Sequence, residues 1–251
     1  MALSVGRVPA LHTEPFYFDM GRRDITMYEM LPSALAAAVT DGEIAAAPLP
    51  LVDCFRLADC LQPVAGFCVA SVQKTASALL YSTKPIEDLT GAHIGSTDED
   101  PMALQLLQVL LRVKYQVQPA AYRPMPLQGS YDAFLLSGND ALRLRGGARG
   151  FPHTYDLGAE WHAWTGLPFV FSRWMARPDI DPKALALLQD TLYVGLEEGV
   201  DALYQASEPR EDLLMLPRDI ARYVRGFRYY IGLSEQQAID QFQHYLQQLE
   251  G

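Results

Sequence analysis

Short runs of strand-forming residues alternate with longer helical runs along most of the 251-residue chain, and this rhythm admits few architectures. Strands separated by helices bury a largely parallel sheet between helical layers, so the pattern predicts an α/β fold. Residues 3–8, 43–48, 77–82, 92–96 and 132–136 read as strands, and 167–175 is a long apolar run able to join two lobes. Pro32 and Ser33 open a helix over 34–39. Between 103 and 113 nearly every residue is apolar except Gln105, Gln108 and Arg112, a narrow polar stripe on an otherwise buried helix. Asp181 and Pro182 supply a cap and first-turn proline for a helix to about Ala206. Ser234 and Gln237 have capping-box spacing for a last helix ending near Leu249.

With 49% hydrophobic and 20% charged residues the chain can bury a substantial core, as one large domain or two lobes of roughly 100–150 residues. A net charge of −10 argues against a nucleic-acid partner or an anionic membrane surface. It leaves an anionic small molecule open, because a pocket can be positive while the surface is not. No apolar run approaches the roughly 20 residues of a membrane span. The start of the chain reads as a strand with no secretory leader, and Cys54, Cys60 and Cys68 lack any CxxC spacing. These features predict a cytoplasmic protein with reduced thiols. The five histidines show no HxxxH or HxH spacing, and no GxSxG, GxGxxG or Walker sequence occurs. The expectation is therefore no metal and no cofactor.

Four predicted strand-to-helix junctions carry small polar residues: His12-Thr13, Pro32-Ser33, Ser96-Thr97-Asp98, and Ser137-Gly138-Asn139-Asp140. Ligands of open α/β sheets sit beyond the carboxyl ends of strands, where free N–H groups and helix dipoles favour carboxylates. Each cluster alone also reads as a plain helix cap. Asp98-Glu99-Asp100 beside Pro101 suits a helix N-terminus better than an anion pocket. Lys74, Arg7 and Arg173 are the basic residues nearest the strand ends, and each also reads as a surface charge. Trp161, Trp164 and Trp174 with Phe169 and Phe171 read as core.

The run Tyr155-Asp156-Leu157-Gly158-Ala159-Glu160-Trp161, followed by Thr165-Gly166-Leu167-Pro168-Phe169-Val170-Phe171 and Trp174, resembles the signature of the chorismate dehydratase family of menaquinone (futalosine-pathway) biosynthesis. Gly6-Arg7-Val8 with Leu11-His12-Thr13-Glu14-Pro15 looks like the family's opening G-x-V-x-x-L-N-T-x-P. Asp132-Ala133 with Gly138-Asn139-Asp140-Ala141-Leu142 looks like its DA…IGD-x-AL segment, and Arg228-Tyr229-Tyr230 and Phe242 fall in its closing region. Departures occur at pocket positions. His12 stands where the family commonly has asparagine, Pro50 where a serine is usual, and Asn139 where an aspartate is usual; of the Ser/Thr-rich loop only Thr97 remains.

The resemblance implies a two-lobed, periplasmic-binding-protein-like (type II) α/β fold with an interlobe cleft. One lobe would combine 1–78 with 174–251 and the other would be 79–173, with 79–81 and 169–171 crossing between them. It implies a hydro-lyase that converts chorismate to 3-[(1-carboxyvinyl)oxy]benzoate without cofactor or metal. The partner would be a small dicarboxylate, with no nucleic acid and no membrane. His12 becomes the candidate catalytic residue, orienting the leaving hydroxyl or protonating it, and Thr13, Ser77, Thr97, Ser137, Gly138 and Asn139 the candidate substrate-binding residues. Two other readings stay open: a solute-binding protein that never turns over its carboxylate ligand, and the sister dihydroxynaphthoate synthase of the same pathway.

Overall fold

The computed structural model describes residues 3–97, 100–125, 131–205 and 209–250. β1 (Ser4–Arg7) leads through a 3-10 turn (Leu11–Thr13) into α1 (Glu14–Tyr17). β2 (Thr26–Glu29), α2 (Pro32–Thr40), β3 (Ala46–Pro50), α3 (Leu51–Arg56) and β4 (Gln62–Ser71) follow. Next come β5 (Ala78–Ser82), β6 (His93–Ser96), α4 (Pro101–Val109), β7 (Ala121–Pro124), β8 (Ala133–Ser137), α5 (Gly138–Leu144), β9 (His153–Asp156) and α6 (Leu157–Thr165). The chain ends with β10 (Phe169–Ala176), α7 (Pro182–Gln205), α8 (Pro217–Val224), β11 (Phe227–Tyr230) and α9 (Leu233–Glu250).

These elements form two compact units, Met1–Ala70 with Val170–Gly232 and Ser71–Phe169 with Leu233–Gly251. The first holds a six-stranded sheet in the order β11-β4-β10-β3-β1-β2, with β1 parallel to β2 and β3, and β10 antiparallel to β3. The second holds a five-stranded sheet in the order β7-β6-β8-β5-β9, with β6 parallel to β7 and β8, and β5 antiparallel to β8 and β9. Both sheets are covered on both faces, so β3 and the mostly apolar β5 are buried at every residue, the Tyr81 and Ser82 hydroxyls of β5 donating to the Leu144 and Lys84 carbonyls. α4 buries Met102, Ala103, Leu106, Leu107 and Val109, leaving Gln105 and Gln108 partly exposed as the polar stripe predicts. No helix among the described residues is long and apolar enough to cross a membrane.

Three features depart from the sequence expectation. The chain does not pass between units at 79–81, which lies wholly inside the second sheet. It passes at Ala70–Ser71, Phe169–Val170 and Gly232–Leu233. The last helix, expected in the lobe containing 174–251, belongs to the second unit. There Phe242, fully buried, meets Trp161 and Phe169 edge-on at 5.9 and 5.0 Å, and Tyr245 stacks on Trp164 at 4.5 Å. Aromatic surface on a helix goes wherever its complement lies, and this complement is the Trp161–Trp164 face of α6. α9 also begins at Leu233, so Ser234 lies inside the helix and donates to Glu235 Oε1 at 3.1 Å. The expected end of α7 near Ala206 lies outside the described residues.

Candidate functional site

His12 sits in the turn after β1, and three groups of the C-terminal part of the first unit hold it. Its carbonyl accepts from Tyr229 Oη at 2.9 Å, and its Nδ1 lies 2.7 Å from Tyr223 Oη. The ring stacks on Phe227 at 4.9 Å with 16° between planes. Burial pulls the His12 pKa down to about 4, so the imidazole is neutral at pH 7. When Tyr223 donates to Nδ1, the tautomer carries its proton on Nε2, and His12 becomes a fixed neutral donor. Thr13 is buried beside it, but its hydroxyl donates to the carbonyls of Val8 (2.9 Å) and Ala10 (2.7 Å). That engagement locks the turn that presents His12.

The second unit brings the other sequence candidates to one end of its sheet. Ser137 is the last residue of β8 and pairs with Ala78, so Ser77 lies beside Gly138, whose N–H donates to the Ser77 carbonyl at 2.8 Å. Parallel β6 and β8 end side by side, which puts Thr97, the residue after β6, at the same edge. The Ser137 hydroxyl donates to Asp100, and Asp100 caps α4 by accepting from Met102 N (3.1 Å) and Ala103 N (3.2 Å). Burial raises the Asp100 pKa against these hydrogen bonds. Asp100 thus takes the helix-cap role; Asp98 and Glu99 lie outside the described residues. Ser77 is buried and its Oγ donates to Thr75 O at 3.2 Å, whereas Thr97, Ser137, Gly138 and Asn139 are partly exposed. Lys74 is exposed.

The 155–171 signature turns out to be a scaffold. The Asp156 carboxylate accepts from Thr75 N (2.9 Å), Thr75 Oγ1 (3.1 Å), Ala76 N (2.6 Å) and Ala159 N (3.1 Å), pinning the 75–78 segment to the start of α6. A Cβ on Gly158 would come within 2.6 Å of Thr75 Cγ2, so only glycine permits this approach. Glu160 binds Lys114 Nζ at 2.5 Å and the Tyr115 hydroxyl. Lys114 ends the π-helical turn Leu110–Lys114 that follows α4, and Tyr115 caps it. Trp161 is fully buried, and its Nε1 donates to Pro168 O at 2.9 Å. The segment therefore works as one cap–helix–strand unit that positions Ser77.

Sequence reasoning did not single out Tyr223 or Phe227, which hold the His12 ring from more than two hundred residues away in the chain. No local signal marks either residue. Arg7 and Trp174 were read as a surface charge and a core residue. Their Nε and Nε1 atoms are buried with no hydrogen-bond partner among the described residues.

A family model described as menaquinone biosynthesis matches residues 3–248. Among curated proteins, the chorismate dehydratase of Thermus thermophilus is 25% identical over 237 residues, covering 86% of this chain and 85% of the relative. Among solved structures, an Archaeoglobus fulgidus protein superposes with a TM-score of 0.74 at 14% identity, covering 99% of this chain and 97% of that one. The alkanesulfonate-binding protein SsuA of Xanthomonas axonopodis pv. citri superposes with a TM-score of 0.62 at 15% identity, covering 99% and 92%. The fold is thus that of the periplasmic solute-binding proteins, as the resemblance implied. The match along nearly the whole length places the sequence as well as the fold: the chain belongs to the menaquinone biosynthesis family.

Proposed function

We propose that the protein is a chorismate dehydratase, forming 3-[(1-carboxyvinyl)oxy]benzoate and water. The observation that carries this reading is the end-to-end similarity to a chorismate dehydratase within the menaquinone biosynthesis family. In the reaction a base removes the ring hydrogen at the ether-bearing carbon. That C–H electron pair forms the new ring double bond as the neighbouring C–OH bond breaks, and the departing hydroxide leaves as water after taking up a proton. Aromatisation supplies the driving force, so the protein's task is to hold two carboxylates and orient the breaking bonds. The enolpyruvyl carboxylate of the substrate is the proposed base, with the protein orienting it.

His12 is the proposed orienting group for the leaving hydroxyl. A ring that is neutral at pH 7 donates a hydrogen bond as asparagine does, and its lowered pKa favours this orienting role over that of a general acid. Thr97, Ser137, Gly138 and Asn139 are proposed to meet a substrate carboxylate, with Ser77 supporting them through its carbonyl. Incubating the purified protein with chorismate and following the product by mass spectrometry tests the reading. Formation of the enolpyruvyl benzoate is expected. Chorismate that binds but returns unchanged would instead identify a non-catalytic binding protein, and turnover of a futalosine-derived intermediate in place of chorismate would identify the sister activity.

A further inference from the structure

Three strands of the first sheet place Arg7 and Trp174 on the same face. Val5 is level with Ala46 across β1 and β3, and Trp174 and Ala176 pair with Pro48 and Ala46 across β3 and β10. Arg7 lies two residues beyond Val5, so its side chain shares the face of Val5, Ala46, Pro48 and Trp174. Tyr17 of α1 covers that face. Its ring lies 5.7 Å from the Arg7 guanidinium carbon and 6.2 Å from the Trp174 ring. Its hydroxyl accepts from Val8 N at 3.1 Å.

Two donors on this face lack an acceptor among the described residues. Arg7 Nε and Trp174 Nε1 are both buried and unpartnered among the described residues, and Trp174 is fully buried. Burying an N–H donor without a partner is costly, and the more so when it belongs to a cation. The chain has 30 acidic against 20 basic side chains, and surface arginines such as Arg23, Arg177 and Arg210 all sit against aspartates. Arg7 has no such partner among the described residues. Arg173 also buries an unpartnered Nε, but it pairs with Leu49 and so projects from the opposite face.

We propose that Arg7 and Trp174 form a carboxylate-receiving site in the first unit. The planar guanidinium offers parallel N–H groups that match a carboxylate, and the indole N–H adds a donor that cannot double as an acceptor. Assigning the bound group to a carboxylate of the substrate rests on the dehydratase reading; the anion site itself does not. The site also changes what holds the acid. The sequence suggested backbone N–H groups and small hydroxyls, and an arginine joins them.

The test is calorimetric titration of the full chain with 3-[(1-carboxyvinyl)oxy]benzoate, benzoate and neutral benzamide, with Tm recorded for every variant. Arg7→Gln is expected to weaken binding of the two acids by about 10–100-fold, leave benzamide unchanged, and not lower Tm. Trp174→Phe should weaken the acids by about 3–10-fold. Wild-type affinity for the acids in Arg7→Gln overturns the site, as does failure of both acids to bind the wild-type protein. If Arg7→Gln does not fold, Arg7→Lys keeps the charge and loses the fork; several-fold weaker binding then supports the site and unchanged binding overturns it. Two further outcomes separate this inference from the dehydratase reading. No product from chorismate, with Arg7-dependent binding of benzoate, removes the dehydratase and keeps the site. Turnover with the same kcat/KM in Arg7→Gln, and the same affinity for the acids, removes the site and keeps the dehydratase.

Discussion

At His12 the departure from the family pattern and the local chemistry point the same way. Asparagine and a neutral imidazole each present an N–H donor, and when Tyr223 donates to Nδ1 the His12 proton sits on Nε2. His12→Asn is expected to keep kcat within about tenfold of wild type, whereas His12→Ala should lose about 10²–10³-fold with KM little changed. Equal losses in both would restore the general-acid role. Tyr223→Phe should lower kcat several-fold by freeing the tautomer. The same residue makes stability depend on pH. Its folded pKa of about 4 lies below the unfolded value of 6.5, so between these values the unfolded chain binds more protons. The His12 contribution is complete above about pH 6.5 and is lost as pH falls toward 4, amounting to no more than about 3.4 kcal/mol. Urea midpoints from pH 7 to pH 4 should fall more steeply for wild type than for His12→Asn.

At the scale of elements, the junction of β9 and α6 has the greatest leverage. One carboxylate serves as helix cap and as tether for a segment some eighty residues earlier, where Ala76 adopts a left-handed φ of 54°. Asp156→Ala would leave several donors unpaired at once, and a loss of about 2–4 kcal/mol is expected in chemical denaturation. Gly158→Ala should also destabilise, by about 1–3 kcal/mol, because the new methyl meets Thr75 at 2.6 Å. Both variants disturb the segment that holds Ser77, so on the proposed dehydratase reading turnover should fall with stability. A Gly158→Ala protein of wild-type stability would remove the close approach from the account.

At the scale of the whole molecule, the second unit is closed by a helix that arrives last in the chain. Deleting residues 233–251 would strip Phe242, Ile239 and Ala238 from the core and uncover Trp161 and Phe169. Each large buried side chain lost removes about 1.5–3 kcal/mol. Hydrogen exchange should show protection falling in α6, β5 and β9, with the β1–β3–β10 sheet of the first unit retaining more of its own. Uniform loss across both sheets would show that the units unfold as one. Expression of the truncated chain should accordingly give an 8-anilinonaphthalene-sulfonate-binding protein with weakened near-ultraviolet signal from Trp161.

The sequence by itself determined the α/β alternation, the buried strands β3 and β5, the polar stripe of α4 and the family, because each is written in neighbouring residues whose period or motif is local. It left β4 unread: Pro63, Gly66 and a left-handed Ala65 interrupt the strand pattern, and only pairing with β10 and β11 makes that stretch a strand. It placed His12, Ser77, Thr97 and Ser137 at strand ends, because a junction is a local feature. The tertiary structure alone decided that the 155–171 signature is scaffold, that α9 completes the second unit, and that Tyr223, 211 positions from His12, meets its Nδ1. The same holds for Arg7 and Trp174, which are brought to one face by two strand pairings through β3. A hydrogen-bond partner, and equally the lack of one, is fixed by distance in space, and separation along the chain carries almost no information about it.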